Sequence, residues 1–350
     1  MTLEMKPNHP ELLTQERFQA PKDWDWSFRT LKNIKIRYGQ SRSRKDYRAV
    51  VVMFEGLGDF GEQYFELARN LDARDLKLIV IDLPGQGGSG RYLKNSHKRH
   101  SVNFSSVLED LHTLIDEVAL SAAVDPEDNH KRLPIILLAH SLGGHLALRY
   151  LAEYNKSSRC TSIFACAAMT APMIAMKSVE AFPKWLSPLI IRFLALCPQT
   201  YIPMGSDWVV GSKIRPYLDY VLSSDPERSN LQNAFFSNAL YKKLIIGSPT
   251  NKWLSDAFDS CNIIQKPNYL EKINVPILIG LAEQDALVSN NAIRAAAKKL
   301  PHAELLEFPT AHHEILMETD DIRNKFLDRF FTFIDENVLM KPDNGKRHIQ

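Results

Sequence analysis

The stretch LPIILLAHSLGGHLALRYLAEY, residues 133–154, decides the fold of this chain. An apolar run is followed by a short turn and then by an amphipathic run, a pattern that predicts a buried strand, a sharp turn and a helix. A turn this tight needs small residues beside its apex, and Ala139, Gly143 and Gly144 meet that need. We therefore predict that Ser141 is held in a strained conformation at the C-terminal edge of the sheet, beside a helix N-terminus, as a candidate nucleophile.

A second interpretation of this stretch is a glycine-rich helix start in which Ser141 only caps the helix. The motif also departs from the G-x-S-x-G pattern, because Ala139 stands where that pattern has glycine. The choice between a nucleophile and a helix cap at Ser141 depends on whether an acid and a base follow later in the chain in the order that a catalytic serine requires.

Apolar runs that predict strands alternate with amphipathic helices along most of the chain, at residues 49–54, 78–83, 161–169, 276–282 and 304–308. This alternation predicts an α/β fold with a mostly parallel central sheet and helices on both faces. Residues 171–267 lack a good strand and are interpreted as a helical cap inserted between two strands. We expect residues 24–170 and 268–340 to form the core, residues 1–23 an N-terminal extension and residues 341–350 a flexible tail.

Candidate catalytic side chains follow the two last predicted strands. Asp285 comes after residues 276–282, and His313 comes after residues 304–308. With Ser141 they run in the order nucleophile, acid, base that is expected of an α/β-hydrolase, and parallel sheets place their sites at these strand ends. Glu283 remains a rival acid and His312 a rival base, and Asp285 has the alternative role of a helix cap.

Two glycine-rich loops match G-x-G-x-x-G. The first, residues 56–61, follows a strand, opens a helix and lies twenty-one positions before Asp82, where a ribose-binding acid would stand. A nicotinamide or flavin oxidoreductase is therefore an alternative function. The simpler alternative is that both loops are turns that need positive φ.

The composition excludes several classes of protein. The formal charge of +2, from 43 basic and 41 acidic residues, gives no reason to expect a nucleic-acid partner. We expect the four cysteines to be reduced and buried in a cytoplasmic protein. The N-terminus resembles neither a signal peptide nor an anchor, and the apolar segment 186–197 is too short to cross a bilayer.

Four segments together are similar to the bacterial lysophospholipase branch of the α/β-hydrolases, kin to monoacylglycerol lipases. In chain order they are GQGGSGR at 85–91, AHSLGG at 139–144, TAPM at 170–173 and HEIL at 313–316. The resemblance covers residues 50–334. It assigns His313 over His312 as the base and supports Asp285 as the acid.

The resemblance implies a serine hydrolase that cleaves a carboxylic ester of a small lipid, a lysophospholipid or a monoacylglycerol, through an acyl-enzyme and without a cofactor or metal. It matches Gly56-Leu57 to the loop that supplies one oxyanion donor, so the backbone N–H groups of Leu57 and Leu142 are the candidate oxyanion hole. One departure is Glu55, which stands where the monoacylglycerol lipases have histidine. The same triad is also compatible with an acyltransferase, an amide hydrolase or a catalytically inactive binding protein.

Apolar and aromatic residues of the predicted cap are candidates for an acyl groove or for peripheral contact with the inner face of a membrane. The alternative is that they pack the cap onto the core. The substrate-binding candidates are Met173, Ile174, Phe182 and Trp185. A basic loop, residues 91–100, is a candidate for contact with a phosphate head group, although a solvated loop is the favoured interpretation. The oligomeric state is left open.

Overall fold

The computed structural model describes residues 9–32, 34–42, 44, 46–125, 132–155, 162–209 and 222–340. Within these residues the chain forms strands and helices in alternation. The strands are β1 (Trp24–Leu31), β2 (Ile34–Ser41), β3 (Ala49–Phe54), β4 (Leu76–Ile81), β5 (Ile135–His140), β6 (Phe164–Thr170), β7 (Ile277–Ala282) and β8 (Ala303–Phe308). The helices are α1 (Phe65–Asp72), α2 (Phe104–Leu114), α3 (Leu120–Ala122), α4 (Leu142–Glu153), α5 (Lys177–Glu180), α6 (Ser187–Ala195), α7 (Arg228–Ser237), α8 (Asn251–Ile264), α9 (Asn290–Lys299) and α10 (Asp320–Ile334).

All eight strands join one sheet in the order β1-β2-β4-β3-β5-β6-β7-β8. The first two strands pair antiparallel, and β2 pairs antiparallel with β4. The remaining strands, in the sheet order β4-β3-β5-β6-β7-β8, all pair parallel with their neighbours. The predicted α/β architecture, a mostly parallel sheet with helices on both faces, is therefore confirmed as an α/β-hydrolase fold.

The sheet separates two apolar cores because successive side chains of a strand point to opposite faces. In β3, Val50, Val52 and Phe54 pack on the face covered by α2, α4, α8 and α9. Val51 and Met53 pack on the other face, against α1 and α10. Every residue of β3 and β5 is buried, as expected for strands that are covered on both sides.

The predicted elements lie close to their expected positions, and the differences are at their ends. The predicted helix near residue 62 begins as a 3-10 turn at Gly61–Tyr64 before α1. The helices predicted for residues 104–118 and 320–337 continue beyond α2 and α10 as π-helical turns at Ile115–Ala119 and Asp335–Leu339.

The described part of the segment between β6 and β7 consists of helices joined by turns and irregular backbone. It contains α5, α6, α7 and α8, and its pairing within those residues is limited to isolated bridges such as Tyr201 with Thr250. This agrees with the expectation that residues 171–267 lack a good strand.

The part of the N-terminal extension that is described packs against the rest of the molecule. Two short 3-10 helices at Pro10–Thr14 and Glu16–Phe18 bury Leu12 and Phe18. Both side chains join an apolar cluster with residues of α7 and with Phe60.

The prediction that the cysteines are buried is partly wrong. Cys166 and Cys261 are buried free thiols, whereas Cys197 is exposed, because it follows the C-terminal end of α6 at the surface. Cys160 lies outside the described residues. None of the helices in the described ranges is both long enough and apolar enough to cross a membrane.

Candidate active site

Ser141 is the single residue between β5 and α4. Its backbone has φ 50° and ψ −112°, a conformation that costs an L-residue on the order of 1–3 kcal/mol. The strain is compensated by hydrogen bonds on both sides of the peptide: Ser141 N donates to Thr170 O at 3.0 Å, and Met173 N donates to Ser141 O at 3.0 Å. The predicted strand, strained apex and helix are therefore present at this position.

The small residues after Ser141 are required by close approach of the backbone. A Cβ atom on Gly143 would lie 2.0 Å from Phe54 O, and one on Gly144 would lie 2.8 Å from Pro172 Cβ. Since the first of these neighbours is a backbone atom of β3, it cannot move aside cheaply. The two glycines thus allow the first turn of α4 to sit against the ends of β3 and β6.

The structure brings Ser141, His313 and Asp285 together at the C-terminal ends of three strands. His313 Nε2 lies 2.9 Å from Ser141 Oγ, and His313 Nδ1 lies 2.6 Å from Asp285 Oδ2. All three residues are buried. These distances are those of a nucleophile, a base and an orienting acid that are connected by hydrogen bonds.

The surroundings of Asp285 favour its ionised form although the side chain is buried. Burial acts to raise its pKa, but the charge and hydrogen bond of His313, together with backbone N–H groups, outweigh burial and hold the pKa below its usual range. Its second oxygen, Oδ1, accepts from Leu287 N at 2.7 Å and from Val288 N at 3.0 Å. The ionised carboxylate therefore stabilises the fold above the usual pKa, and that stabilisation is lost as the pH falls through the lowered pKa.

The rival acid and the residue of the rival base make other contacts. Glu283 forms an ion pair with Arg294 on α9. The backbone N–H of His312 donates to Glu318 Oε1 at 2.8 Å. Asp285 is not the N-cap of helix α9. Ser289 is the N-cap, and its Oγ accepts from Ala292 N.

His140 is a buried neighbour of the triad that the sequence did not single out. Its ring lies 4.9 Å from that of His313, and its Nδ1 is 3.0 Å from Thr170 Oγ1. Burial, with a contribution from nearby His313, lowers the pKa of His140 to about 4, so this imidazole is neutral at physiological pH. The sequence signal that could have identified His140 is its position directly before Ser141 in residues 133–154.

The two candidate oxyanion donors belong to segments that meet beside Ser141. Leu142 is the first residue of α4, where backbone N–H groups have no partner within the helix. A Cβ atom on Gly56, the residue before Leu57, would lie 2.7 Å from His140 Cδ2, so the loop after β3 packs against the nucleophile turn. The oxyanion role of Leu57 and Leu142 stays a prediction.

The four predicted substrate-binding residues have different environments. Met173 and Ile174 are buried in the core beneath α8, whereas Phe182 is 48% and Trp185 71% exposed. Their contact with substrate stays a prediction. A cavity of about 20 Å³ lies against Leu142 and is lined also by Leu146, Phe104 and Trp253. It has room for a water-sized group.

The predicted basic loop is largely used for structure. Arg91 donates to the carbonyl oxygens of Ser89, Gly87 and Lys243. Lys98 Nζ donates to Gln199 O at 2.8 Å. These contacts favour the interpretation of a structural loop over that of a phosphate site.

The glycine motif at residues 56–61 does not leave its acid available to a ribose. Asp82 is fully buried, and it accepts from Gly61 N at 2.8 Å and from Arg37 Nε at 2.6 Å. The oxidoreductase alternative is therefore not favoured. Across the part of the chain that the structure describes, there is no cluster of three or more His, Cys, Asp or Glu side chains that could hold a metal ion.

A family model decides the relationship that this geometry suggests. The Hydrolase_4 family, described as serine aminopeptidase, S33, matches residues 45–320. The chain belongs to this family. The matched range includes β3 to β8 and all three residues of the candidate triad.

Relatives of this Hydrolase_4 chain bear lipase names. It is 25% identical over 323 residues to lysophospholipase L2 of Escherichia coli strain K12, which covers 89% of this chain and 87% of the relative. It is 31% identical over 128 residues to the monoacylglycerol lipase of Mycolicibacterium smegmatis, which covers 37% of this chain and 41% of the relative. The predicted resemblance to the lysophospholipase and monoacylglycerol lipase branch is confirmed.

Solved structures support the same fold. A soluble variant of monoglyceride lipase from Saccharomyces cerevisiae, in complex with a substrate analog, superposes with a TM-score of 0.69 and 17% identity, covering 91% of this chain and 96% of that one. A thermostable carboxyl esterase from Bacillus coagulans, in complex with glycerol, gives a TM-score of 0.67 at 17% identity, covering 91% and 99%.

Proposed function

We propose that this protein is a serine hydrolase that cleaves the carboxylic ester of a lysophospholipid or a monoacylglycerol and releases a fatty acid. The observation that carries the proposal is the continuous hydrogen-bonded chain from Ser141 Oγ through His313 to Asp285. The relatives named lysophospholipase L2 and monoacylglycerol lipase support the ester and the lipid class.

The reaction begins with proton transfer from the nucleophile. His313 Nε2 removes the proton of Ser141 as Oγ attacks the ester carbonyl, and Asp285 stabilises the imidazolium that forms. The backbone N–H groups of Leu57 and Leu142 receive the developing oxyanion, and each well-placed donor lowers the barrier by about 3 kcal/mol.

The acyl-enzyme then forms and breaks through the same base. The imidazolium of His313 returns its proton to the leaving glycerol oxygen, which departs with the head group. Water loses a proton to His313 and attacks the acyl carbonyl, and the fatty acid leaves while Ser141 recovers its proton. The chemistry requires no oxidant or metal.

Residues 171–267 form the cap of this site in our proposal, with residues 24–170 and 268–340 as the core. Contacts from this segment to the catalytic region support the division. Gln232 Nε2 of α7 donates to Gly58 O at 2.8 Å, and Lys177 Nζ donates to Asp285 O. Leu222 O accepts from Glu314 N at 2.9 Å, next to His313. Movement of this cap would therefore act directly on the loops that carry the acid, the base and an oxyanion donor.

Comparison of three substrates tests the proposed reaction. We expect lysophosphatidylcholine and a monoacylglycerol with the same acyl chain to be hydrolysed, and an aminoacyl p-nitroanilide to give no measurable turnover. Free fatty acid and p-nitroaniline are the products to be measured. Faster cleavage of the anilide would support an amide hydrolase instead, and recovery of the acyl group in a second lipid would support an acyltransferase.

Membrane contact through the cap is a further part of the proposal. Five large apolar side chains form the exposed apolar stripe of this segment, defined as Phe182, Trp185, Leu189, Phe193 and Leu196. Leu189, Phe193 and Leu196 are spaced by four and three residues, so they lie on one face of α6 and its C-terminal end. Such an exposed apolar face, on the same segment as Lys177, whose Nζ donates to Asp285 O, suits an enzyme that takes its substrate from a lipid surface.

A double variant, Trp185→Ser with Phe193→Ser, is expected to weaken vesicle binding by at least about 10-fold, since burying one large apolar side chain contributes about 1.5–3 kcal/mol. Sedimentation with phosphatidylcholine–phosphatidylglycerol vesicles measures the partition. The matched control is Phe28→Ser, which removes an exposed phenylalanine from β1, outside the cap. Equal loss in both variants, or loss in neither, would contradict membrane contact through the stripe.

A further inference from the structure

Glu55 is a carboxyl group at the end of β3 that the proposed reaction does not use. The residue is completely buried. Its Oε1 accepts from Leu83 N at 2.9 Å and lies 2.5 Å from Gln86 Nε2. Glu55 directly precedes Gly56 and Leu57, so its side chain lies at the base of the loop that carries a candidate oxyanion donor.

Gln86 connects Glu55 to that loop. Its Nε2 donates to Gly56 O at 2.8 Å and to Asp59 O at 3.0 Å. These two carbonyl groups lie on either side of Leu57 and Gly58. Because two carbonyl oxygens require a donor here, the amide orientation of Gln86 is determined by its contacts. The side chain therefore holds both ends of the segment from which Leu57 N–H projects.

Two buried oxygen atoms in this arrangement have no hydrogen-bond partner among the residues that the structure describes. They are Glu55 Oε2 and Gln86 Oε1. Both are acceptors if Glu55 is ionised, and leaving them unpaired costs about 1–3 kcal/mol each. A proton on Glu55 Oε2 makes that atom a hydroxyl donor and removes a buried anionic acceptor without a partner in the described part of the chain, while Oε1 still accepts from Leu83 N.

The charges around Glu55 favour this proton. Asp59 and Asp82 face it from the loop and from the end of β4, Tyr64 faces it from the turn before α1, and Arg91 faces it from the loop after β4. Arg37 pairs with Asp82 and Glu62, and Arg91 donates to carbonyl oxygens. Burial, followed by the negative charges of Asp82 and Asp59, raises the pKa of Glu55 well above its usual range.

We propose that Glu55, as the neutral acid, and Gln86 form a pair that positions the loop of Leu57 for stabilisation of the oxyanion. Both are positioning residues, since they act through the backbone of Gly56 and Asp59. This inference rests on the proposed function. Ionisation of Glu55 would place a second buried negative charge beside Asp59 and Asp82 and would leave Oε2 as a charged acceptor without a partner among the described residues.

Matched substitutions at Glu55 test this role. Glu55→Gln keeps the shape, stays neutral and retains an oxygen that can accept from Leu83 N and face Gln86 Nε2, so its kcat is expected to stay within about twofold of the wild type. Glu55→Leu and Gln86→Leu remove the pair and are expected to lower kcat about 10- to 100-fold with little change in KM, because the oxyanion forms only in the transition state. Thermal unfolding checks that each variant folds.

An infrared difference spectrum supplies a readout that does not depend on turnover or on the leucine variants. Wild type minus Glu55→Gln at neutral pH is expected to contain the carbonyl stretch of a protonated carboxyl group. A carboxylate band in its place would overturn the inference, as would an unchanged kcat in folded Glu55→Leu. Absence of lipid ester hydrolysis by the wild type would instead overturn the proposed function, so the two failures are distinguishable.

Discussion

The Ser141→Ala variant is expected to lose ester hydrolysis by a factor on the order of 10⁶ in kcat, the scale observed when a catalytic serine is removed from a working triad. The reason is that Ser141 Oγ is the atom that lies 2.9 Å from His313 Nε2 and that would carry the acyl group. Fatty-acid release measures turnover. A fluorophosphonate probe, followed by mass spectrometry, measures the nucleophile directly, and the adduct should be located on Ser141 and absent from the variant.

Folding of this variant can be separated from its chemistry. Alanine retains the Cβ atom of Ser141, so it keeps the strained backbone at φ 50° and the contacts of the turn. Its thermal unfolding should therefore resemble that of the wild type. Ser121→Ala, at an exposed serine in α3, is the control and should leave labelling and turnover unchanged. Labelling of a different residue would contradict the assignment, and dinucleotide binding without labelling would revive the oxidoreductase alternative.

The central sheet and the meeting of three candidate catalytic residues could be predicted because they depend on local patterns and on a general rule of parallel sheets. An apolar run followed by small residues and an amphipathic run predicts a strand, a sharp turn and a helix, which is the structure found around Ser141. Asp285 and His313 are far from it in sequence, yet each follows a strand of the same sheet. Since the C-terminal ends of parallel strands lie at one edge, order along the chain predicted that an acid and a base meet Ser141 there. The family resemblance, and not this order, selected His313 over His312 and supported Asp285.

The pair of Glu55 and Gln86 could not be predicted in the same way. Its residues lie on two loops, and each loop alone has the pattern of a turn or of a dinucleotide-binding motif. Their contact depends on the parallel pairing of β3 with β4, which brings the two loops side by side. The environments of Met173 and Trp185 were also not separable from sequence, because an apolar residue of a cap can face either the core or the solvent.

The Asp285→Asn variant is expected to lower kcat about 10⁴-fold with a smaller change in KM. The backbone N–H groups of Leu287 and Val288 require an acceptor, so the amide oxygen of the variant should remain with them. Its NH₂ group would then face His313 Nδ1 in place of Asp285 Oδ2. Nδ1 must accept that hydrogen bond, the imidazole proton moves to Nε2, and Nε2 can no longer take the proton of Ser141. Steady-state kinetics with a lysophospholipid measures the loss.

The neighbouring acid provides the control that separates this tautomer effect from a general loss of negative charge. Glu283→Gln removes a carboxylate two residues away, which pairs with Arg294 at the surface side of α9, and should leave kcat within about twofold. Because Asp285→Asn preserves the shape of the site, the variant should fold and keep Ser141 in place. Only the position of the proton on the His313 imidazole should change, from Nδ1 to Nε2. Full activity of Asp285→Asn combined with loss in Glu283→Gln would transfer the role of the acid to Glu283.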